Sequence, residues 1–161
     1  MEGMGVKYAE WEQSVPESLR LDPLWRMTAY RLATLLADLA WVDITRMMGD
    51  KRTSAIADQL YRAIGSIGAN LAEGYGRSTG KERARFYEYA LGSARESRHW
   101  YYQARHVLDA EAMQHRVGLL DQTIRLLVTM VPQQRESGTI REDGPVYEIE
   151  ASISADIGAL P

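Results

Sequence analysis

The chain has 161 residues, 45% of them hydrophobic, and 19 Lys and Arg against 22 Asp and Glu give a net charge of −3. That length suits one domain with a core large enough to fold without staples. The absence of cysteine excludes disulfides, thiolate metal sites and cysteine nucleophiles together.

No stretch reaches the roughly 18 uninterrupted apolar residues that span a bilayer. Residues 1–17 are polar and acidic, unlike a signal peptide. The expectation is a cytoplasmic protein with no membrane partner. Charge is unevenly placed: residues 1–45 hold 4 Lys and Arg against 7 acids, residues 46–106 hold 11 against 6, and residues 107–161 hold 4 against 9. Only the basic middle invites an anionic partner.

Residues 1–21 read as an N-terminal extension. A first helix is predicted from Asp22-Pro23, where Asp can cap and Pro is pre-organised for the first turn. Leu24, Met27, Leu32, Leu35, Leu36, Leu39, Val42 and Met47 give it an apolar stripe, and Gly49-Asp50 ends it. A second helix is predicted over about 53–73, with Ile56, Leu60, Ala63, Ile64, Ile67 and Leu71 facing inward. Gly65 and Gly68 lie inside it, each costing about 1 kcal/mol relative to Ala. Small residues at that spacing predict close approach of another helix. Gly74-Tyr75-Gly76 is expected to stop the helix.

The third helix opens on a capping box, Thr79-x-x-Glu82. Its predicted stripe is Phe86, Ala90, Ser93, Ser97, Trp100, Ala104 and Val107, at alternating four- and three-residue steps. A fourth follows a break near Asp109, with Met113, Val117, Leu120, Ile124, Leu127 and Val131 inward and Pro132 near its end. The fold class is therefore all-α, an antiparallel up-and-down four-helix bundle over 22–135. Residues 136–161 read as a flexible or loosely docked acidic tail with a brief alternation at Val146, Glu148 and Glu150.

Tests for chemistry fail. The run Gly74–Lys81 lacks the glycine a phosphate loop needs at 75, has Glu at 82 where Ser or Thr belongs, and follows no strand. Glu96-x-x-His99 is one half of a di-iron motif with no second half, since Gln103 precedes His106 and Ala112 precedes His115 at that spacing. No serine nucleophile signature is present. The expectation is a protein that is not an enzyme and holds no metal or cofactor. A buried carboxylate such as Glu73 or Glu96 would need an Arg partner, with Arg62, Arg77 and Arg85 as candidates.

The third helix gathers Arg77, Lys81, Arg83, Arg95, Arg98 and Arg105 among Tyr75, Tyr87, Tyr89, Trp100, Tyr101 and Tyr102. Three readings stay open for it. It is a solvated face over core aromatics, a self-association surface, or a nucleic-acid surface on which Arg meets phosphate and rings stack on bases.

The segments Ala63-Ile64-Gly65-Ser66-Ile67-Gly68-Ala69-Asn70-Leu71-Ala72-Glu73-Gly74-Tyr75-Gly76-Arg77 and Glu82-x-x-Arg85-Phe86-Tyr87-x-Tyr89-Ala90-Leu91-Gly92-Ser93-Ala94-x-Glu96 carry a resemblance. They resemble the bacterial four-helix bundle family named after intervening sequences of 23S ribosomal RNA genes. That family has a pattern close to S-I-P-A-N-I-A-E-G-x-G-R and then E-x-x-R-F-L-x-I-A-x-G-S-x-x-E. Gly68 stands at its usual Pro, Tyr61 at a frequent second Arg, and Tyr87 and Tyr89 at aliphatic positions. The resemblance implies a ring-like homo-oligomer, commonly a pentamer. Through the accessory protein of diversity-generating retroelements, it also implies possible association with RNA or with a nucleic-acid-processing protein. Asn70, Glu73, Arg77, Arg85 and Glu96 match the motif, and the expectation is a polar network joining helix two to helix three.

Overall fold

A computed structural model describes residues 8–137. Among them there is no strand, and short turns join six α-helices. We number these α1 (Tyr8–Ser14), α2 (Glu17–Arg20), α3 (Thr28–Met47), α4 (Ser54–Tyr75), α5 (Gly80–Gln103) and α6 (Ala110–Glu136). The all-helical class read from the sequence holds. The proposed tail beyond residue 137 lies outside the described residues.

The four long helices pack in cyclic order: α3 on α4, α4 on α5, α5 on α6, and α6 back on α3. Their shared core includes Leu32, Leu35, Leu36, Leu60, Ile64, Ile67, Leu71, Leu120 and Leu127, each essentially solvent-free. At α4 this is the stripe the periodicity predicts, and at α3 most of it, except that Val42 is 54% exposed and Asp43 and Ile44 turn inward instead.

The first predicted helix differs at its start. Asp22 caps a single 3₁₀ turn, Pro23–Arg26, accepting 2.8 Å from the Leu24 N–H. The α-helix begins only at Thr28. The extension before it is not featureless. Trp11 and Val15 from α1 and the loop after it join Trp25 in the core. The Trp11 indole N–H donates 2.7 Å to Asp38 on α3, and the Trp25 N–H donates 2.9 Å to Glu12. The two indoles stack with centroids 6.1 Å apart, and Trp25 meets Tyr30 edge-on at 6.1 Å. This aromatic strap lies along α3. Its helices span only 7 and 4 residues, too short for a 3.6-residue period to show.

On α5 the predicted stripe is corrected at alternate positions. Ala90 and Ser97, with Ala104 just past the helix, are buried as expected, but Tyr87, Ala94 and Tyr101 take the places of Phe86, Ser93 and Trp100, which are half-buried. Tyr101 turns into the core because Asp43 supplies a polar partner for its hydroxyl there. On α6, Met113 and Val117 likewise yield the core to Ala112, Arg116 and Leu119.

The glycines also act differently from the sequence reading. α4 runs through Gly74 to Tyr75, and no described glycine has positive φ. A Cβ at Gly74 would sit 2.8 Å from Phe86 Cβ, so this position permits α5 to approach. A Cβ at Gly80 would collide with the carbonyl oxygens of Gln134 and Ser137. The start of α5 is thus pressed against the backbone that ends α6. Gly68 makes ordinary contact with α3 at Ala33 and Tyr30, while Gly65 faces open space rather than another helix.

Candidate functional site

The charged centre of the molecule is one the sequence reading did not find. Asp43 on α3 is 1% exposed, Arg116 on α6 is 4% and Tyr101 on α5 is 0%. Arg116 Nε donates 2.9 Å to Asp43 Oδ2 and its Nη2 donates 3.4 Å to Oδ1, while the Tyr101 hydroxyl donates 2.9 Å to Oδ2. Burial, then the Asp43 carboxylate, pushes the Tyr101 pKa well above the ordinary tyrosine value, although Arg116 opposes this. The hydroxyl therefore stays a donor. Arg116 Nη1 lies 2.9 Å from His115 Nδ1. A guanidinium only donates, so Nδ1 accepts and the imidazole is neutral. Burial, then the Arg116 charge, lowers the His115 pKa.

Asp43 thus has the Arg partner expected of a buried carboxylate. Neither Glu73 nor Glu96 is buried, and Arg62, Arg77 and Arg85 are not that partner. Nothing in the cluster is open to a substrate. Its geometry pins three helices in register.

The five motif residues do not join into one network. Asn70 Nδ2 donates 2.8 Å to the Ser66 carbonyl, Arg77 pairs with Glu73, Arg85 Nε donates 2.8 Å to the Tyr89 hydroxyl, and Trp100 Nε1 donates 3.1 Å to Glu96. Each of these contacts stays within its own helix or at its end. The bridge between α4 and α5 is a cation–π contact instead, with Arg77 Cζ 4.8 Å from the Phe86 ring centroid. At the start of α5 the Glu82 N–H donates 3.2 Å to Thr79 Oγ1, and that hydroxyl donates 2.9 Å to the Glu82 carboxylate. Thr79 caps as expected, with Glu82 closing onto its side chain rather than its backbone.

The six basic candidates divide. Arg83 is 8% exposed, donating to Gln134 Oε1 at 2.6 Å, to the Arg77 carbonyl at 3.1 Å and to Ser137 Oγ at 3.3 Å. It ties the start of α5 to the end of α6 and is withdrawn from any outer surface. Arg77 pairs with Glu73, and Arg98 pairs with Asp121 at 2.6 Å. Arg105 lies 4.2 Å over the Tyr102 ring and donates 2.9 Å to the Tyr102 carbonyl. Lys81 and Arg95 are exposed.

Two surface clefts flank the core. One, of about 590 Å³, lies between α3 and α4 and is lined by Asp38, Trp41, Tyr61, Arg62 and Gly65 among others. Trp41 is 66% exposed and Tyr61 51%, their rings edge-to-face at 6.2 Å. The second, of about 650 Å³, lies between α5 and α6 and is lined by Arg95, Arg98, His99, Tyr102, Met113, Val117 and Gly118 among others. Gly65 and Gly118 each line a cleft, and a Cβ at either would meet nothing within 4 Å. His99 sits on the rim of the second cleft, edge-on to Trp100. Among the described residues no group of three or more His, Asp or Glu could hold a metal ion. No helix among them is long and apolar enough to cross a membrane.

A closed polar cluster inside cyclically packed helices, with open clefts outside, defines an all-helical protein. The model of the 23S rRNA-intervening sequence protein family matches residues 26–129, and the chain belongs to that family. A solved structure from Bacteroides thetaiotaomicron, described as a protein of unknown function from the S23 ribosomal protein family, shares the fold. It has a TM-score of 0.59 at 16% identity, covering 65% of this chain and 98% of that one. No curated protein matches. The aromatic strap up to Trp25 precedes the matched segment.

Proposed function

We propose that this protein is a non-enzymatic, self-associating scaffold whose four long helices form an antiparallel, up-and-down bundle. The connections 48–53, 76–79 and 104–109 are short enough to favour antiparallel neighbours. The observation that carries self-association is the α3/α4 cleft. A tryptophan and a tyrosine stand exposed beside a helical glycine that nothing inside the chain requires. Aromatic rings bury on the order of 150–250 Å² each when covered. At roughly 25 cal/mol per Å², covering the exposed parts of Trp41 and Tyr61 contributes about 5 kcal/mol to association. Gly65 leaves room for an incoming side chain. Resemblance to the family adds the proposal of a ring-like homo-oligomer, with a pentamer favoured, and the composition adds a cytoplasmic location.

Sedimentation velocity at about 10 µM tests this. The full chain is expected to sediment as an oligomer of its 18.2 kDa subunit, and Trp41→Glu with Tyr61→Glu to sediment as a folded monomer. A native monomer sinks the proposal.

The rival reading is an RNA- or DNA-binding accessory protein, and one observation supports it: exposed Arg95 beside Tyr102 in the α5/α6 cleft, with Lys81 exposed at the start of the same helix. Against it, Arg77, Arg83, Arg98 and Arg105 already hold internal partners. Releasing them would offset part of the gain from phosphate contacts. A gel shift with mixed single- and double-stranded nucleic acid at low salt decides this, and no shift removes the reading.

A further inference from the structure

The α5/α6 cleft has a charge and a position that fit one segment of the same chain. Gly118, Asp121, Arg125, Val128, Pro132 and Arg135 recur along α6 at alternating three- and four-residue steps. They form one continuous ridge from the cleft to the end of the helix. Val128 is 49% exposed on this ridge, although it is aliphatic. Across the ridge, Arg98 meets Asp121 and Arg135 meets Glu88, so α5 walls the other side. Arg95, Arg98 and His99 line the cleft against one acid, Asp121, and its apolar lining is Tyr102, Met113 and Val117. Arg125 is exposed beside it.

The segment that follows Ser137 has the complementary composition. Residues 138–161 contain Glu142, Asp143, Glu148, Glu150 and Asp156 against a single Arg141. Of their apolar residues, Val146, Tyr147 and Ile149 are flanked closely by acids, Asp143 before them and Glu148 and Glu150 among and after them. Ser137 leaves α6 with extended backbone, φ −74 and ψ 123, and Gly138 follows. Gly118 lies 19 residues back along the helix, which is about 28 Å at 1.5 Å per residue. An extended strand covers that distance in about nine residues. A chain reversing at Gly138 and running back along the ridge reaches Gly118 at residues 146–147, the apolar pair Val146-Tyr147.

We propose that residues 146–150 dock in the α5/α6 cleft of their own protomer. Tyr147 and Ile149 cover Val117 and Met113, while Glu148 and Glu150 pair with Arg95 and the flanking arginines. Gly118 gives the segment its room. This inference is independent of self-association through the α3/α4 cleft, and either can fail alone.

The chain has no cysteine of its own, so introduced pairs report without background. Gly118→Cys with Tyr147→Cys places one thiol in the cleft and one in the segment. Gly65→Cys with Tyr147→Cys is the control, since a side chain at Gly65, as at Gly118, would meet nothing within 4 Å. Each oxidation rate is divided by the helix thiol's rate of labelling with a small thiol reagent. The expected result is an intramolecular disulfide at least tenfold faster for 118/147 than for 65/147. Adding Glu148→Lys and Glu150→Lys is expected to slow it at least fivefold. Equal rates for the two pairs, a predominantly intermolecular product, or no response to the charge reversal would overturn the proposal.

Discussion

At the scale of single residues, the Asp43–Arg116–Tyr101 cluster carries the largest single stake in stability. Removing one member of a buried ion pair leaves the other charge uncompensated, at about 3–5 kcal/mol. Replacing both with apolar side chains removes the desolvation cost together with the attraction. We therefore expect Arg116→Met and Asp43→Leu each to destabilise by about 3–5 kcal/mol. The double variant is expected to be less destabilised than either single one, as read from urea midpoints in a double-mutant cycle. Additive losses would show that the two charges do not act as a pair. His115 provides a pH readout. Its folded-state pKa lies below the unfolded value of about 6.5, so the unfolded chain binds more protons as pH falls through that range. The contribution is fully present above about pH 6.5 and is lost on acidification below it. Between pH 7.5 and 5.5 the native protein should lose stability, and His115→Gln should lose less over the same interval. Equal slopes would refute the assignment.

At the scale of elements, the close contact of α5 on α6 depends on the missing side chain at Gly80. Unlike Gly74, whose neighbours include side-chain atoms that can shift, Gly80 faces backbone oxygens. Gly80→Ala must displace the end of α6 and weaken the Arg83 tie to Gln134 and Ser137. We expect a loss of about 1–3 kcal/mol from the strain. Faster hydrogen exchange at residues 130–137 should accompany it, whereas a change confined to α5 would contradict the account. This contact also shows what the sequence could convey. The four long helices, the α4 stripe, most of the α3 stripe and the Thr79 cap were legible because they follow local period and local hydrogen bonding. The role of Gly80 was not, because its partner lies more than fifty residues away. The α5 register failed for a related reason. Phe86 and Trp100 outrank tyrosine on hydrophobicity, yet a buried acid on α3 makes Tyr101 the better core residue. Asp43 carries no local signal, since its neighbours in sequence say nothing of Arg116, 73 residues on.

At the scale of the whole molecule, the outer faces are unequal. The α3/α4 face offers exposed rings with an acidic neighbour in Asp38, and the α5/α6 face offers arginines over a thinner apolar floor. On this division the α3/α4 face carries self-association, and the α5/α6 cleft is left to the chain's own segment. The family-matched segment supplies both faces. The strap before it fastens to Asp38, which also lines the α3/α4 cleft. An element outside the shared family core thus reaches the edge of the surface on which we place self-association.

The four tryptophans sit where these questions are asked. Trp11 and Trp25 are enclosed in the strap, Trp41 stands on the α3/α4 face, and Trp100 is half-covered beside His99 on α5. The protein therefore carries its own set of intrinsic fluorophores. Emission from the strap pair starts in an apolar environment and reports its detachment by a red shift. Trp41 starts in water and reports assembly by a blue shift. With Phe at the other positions, a single indole distinguishes unfastening of the strap from the meeting of two copies, without any added label.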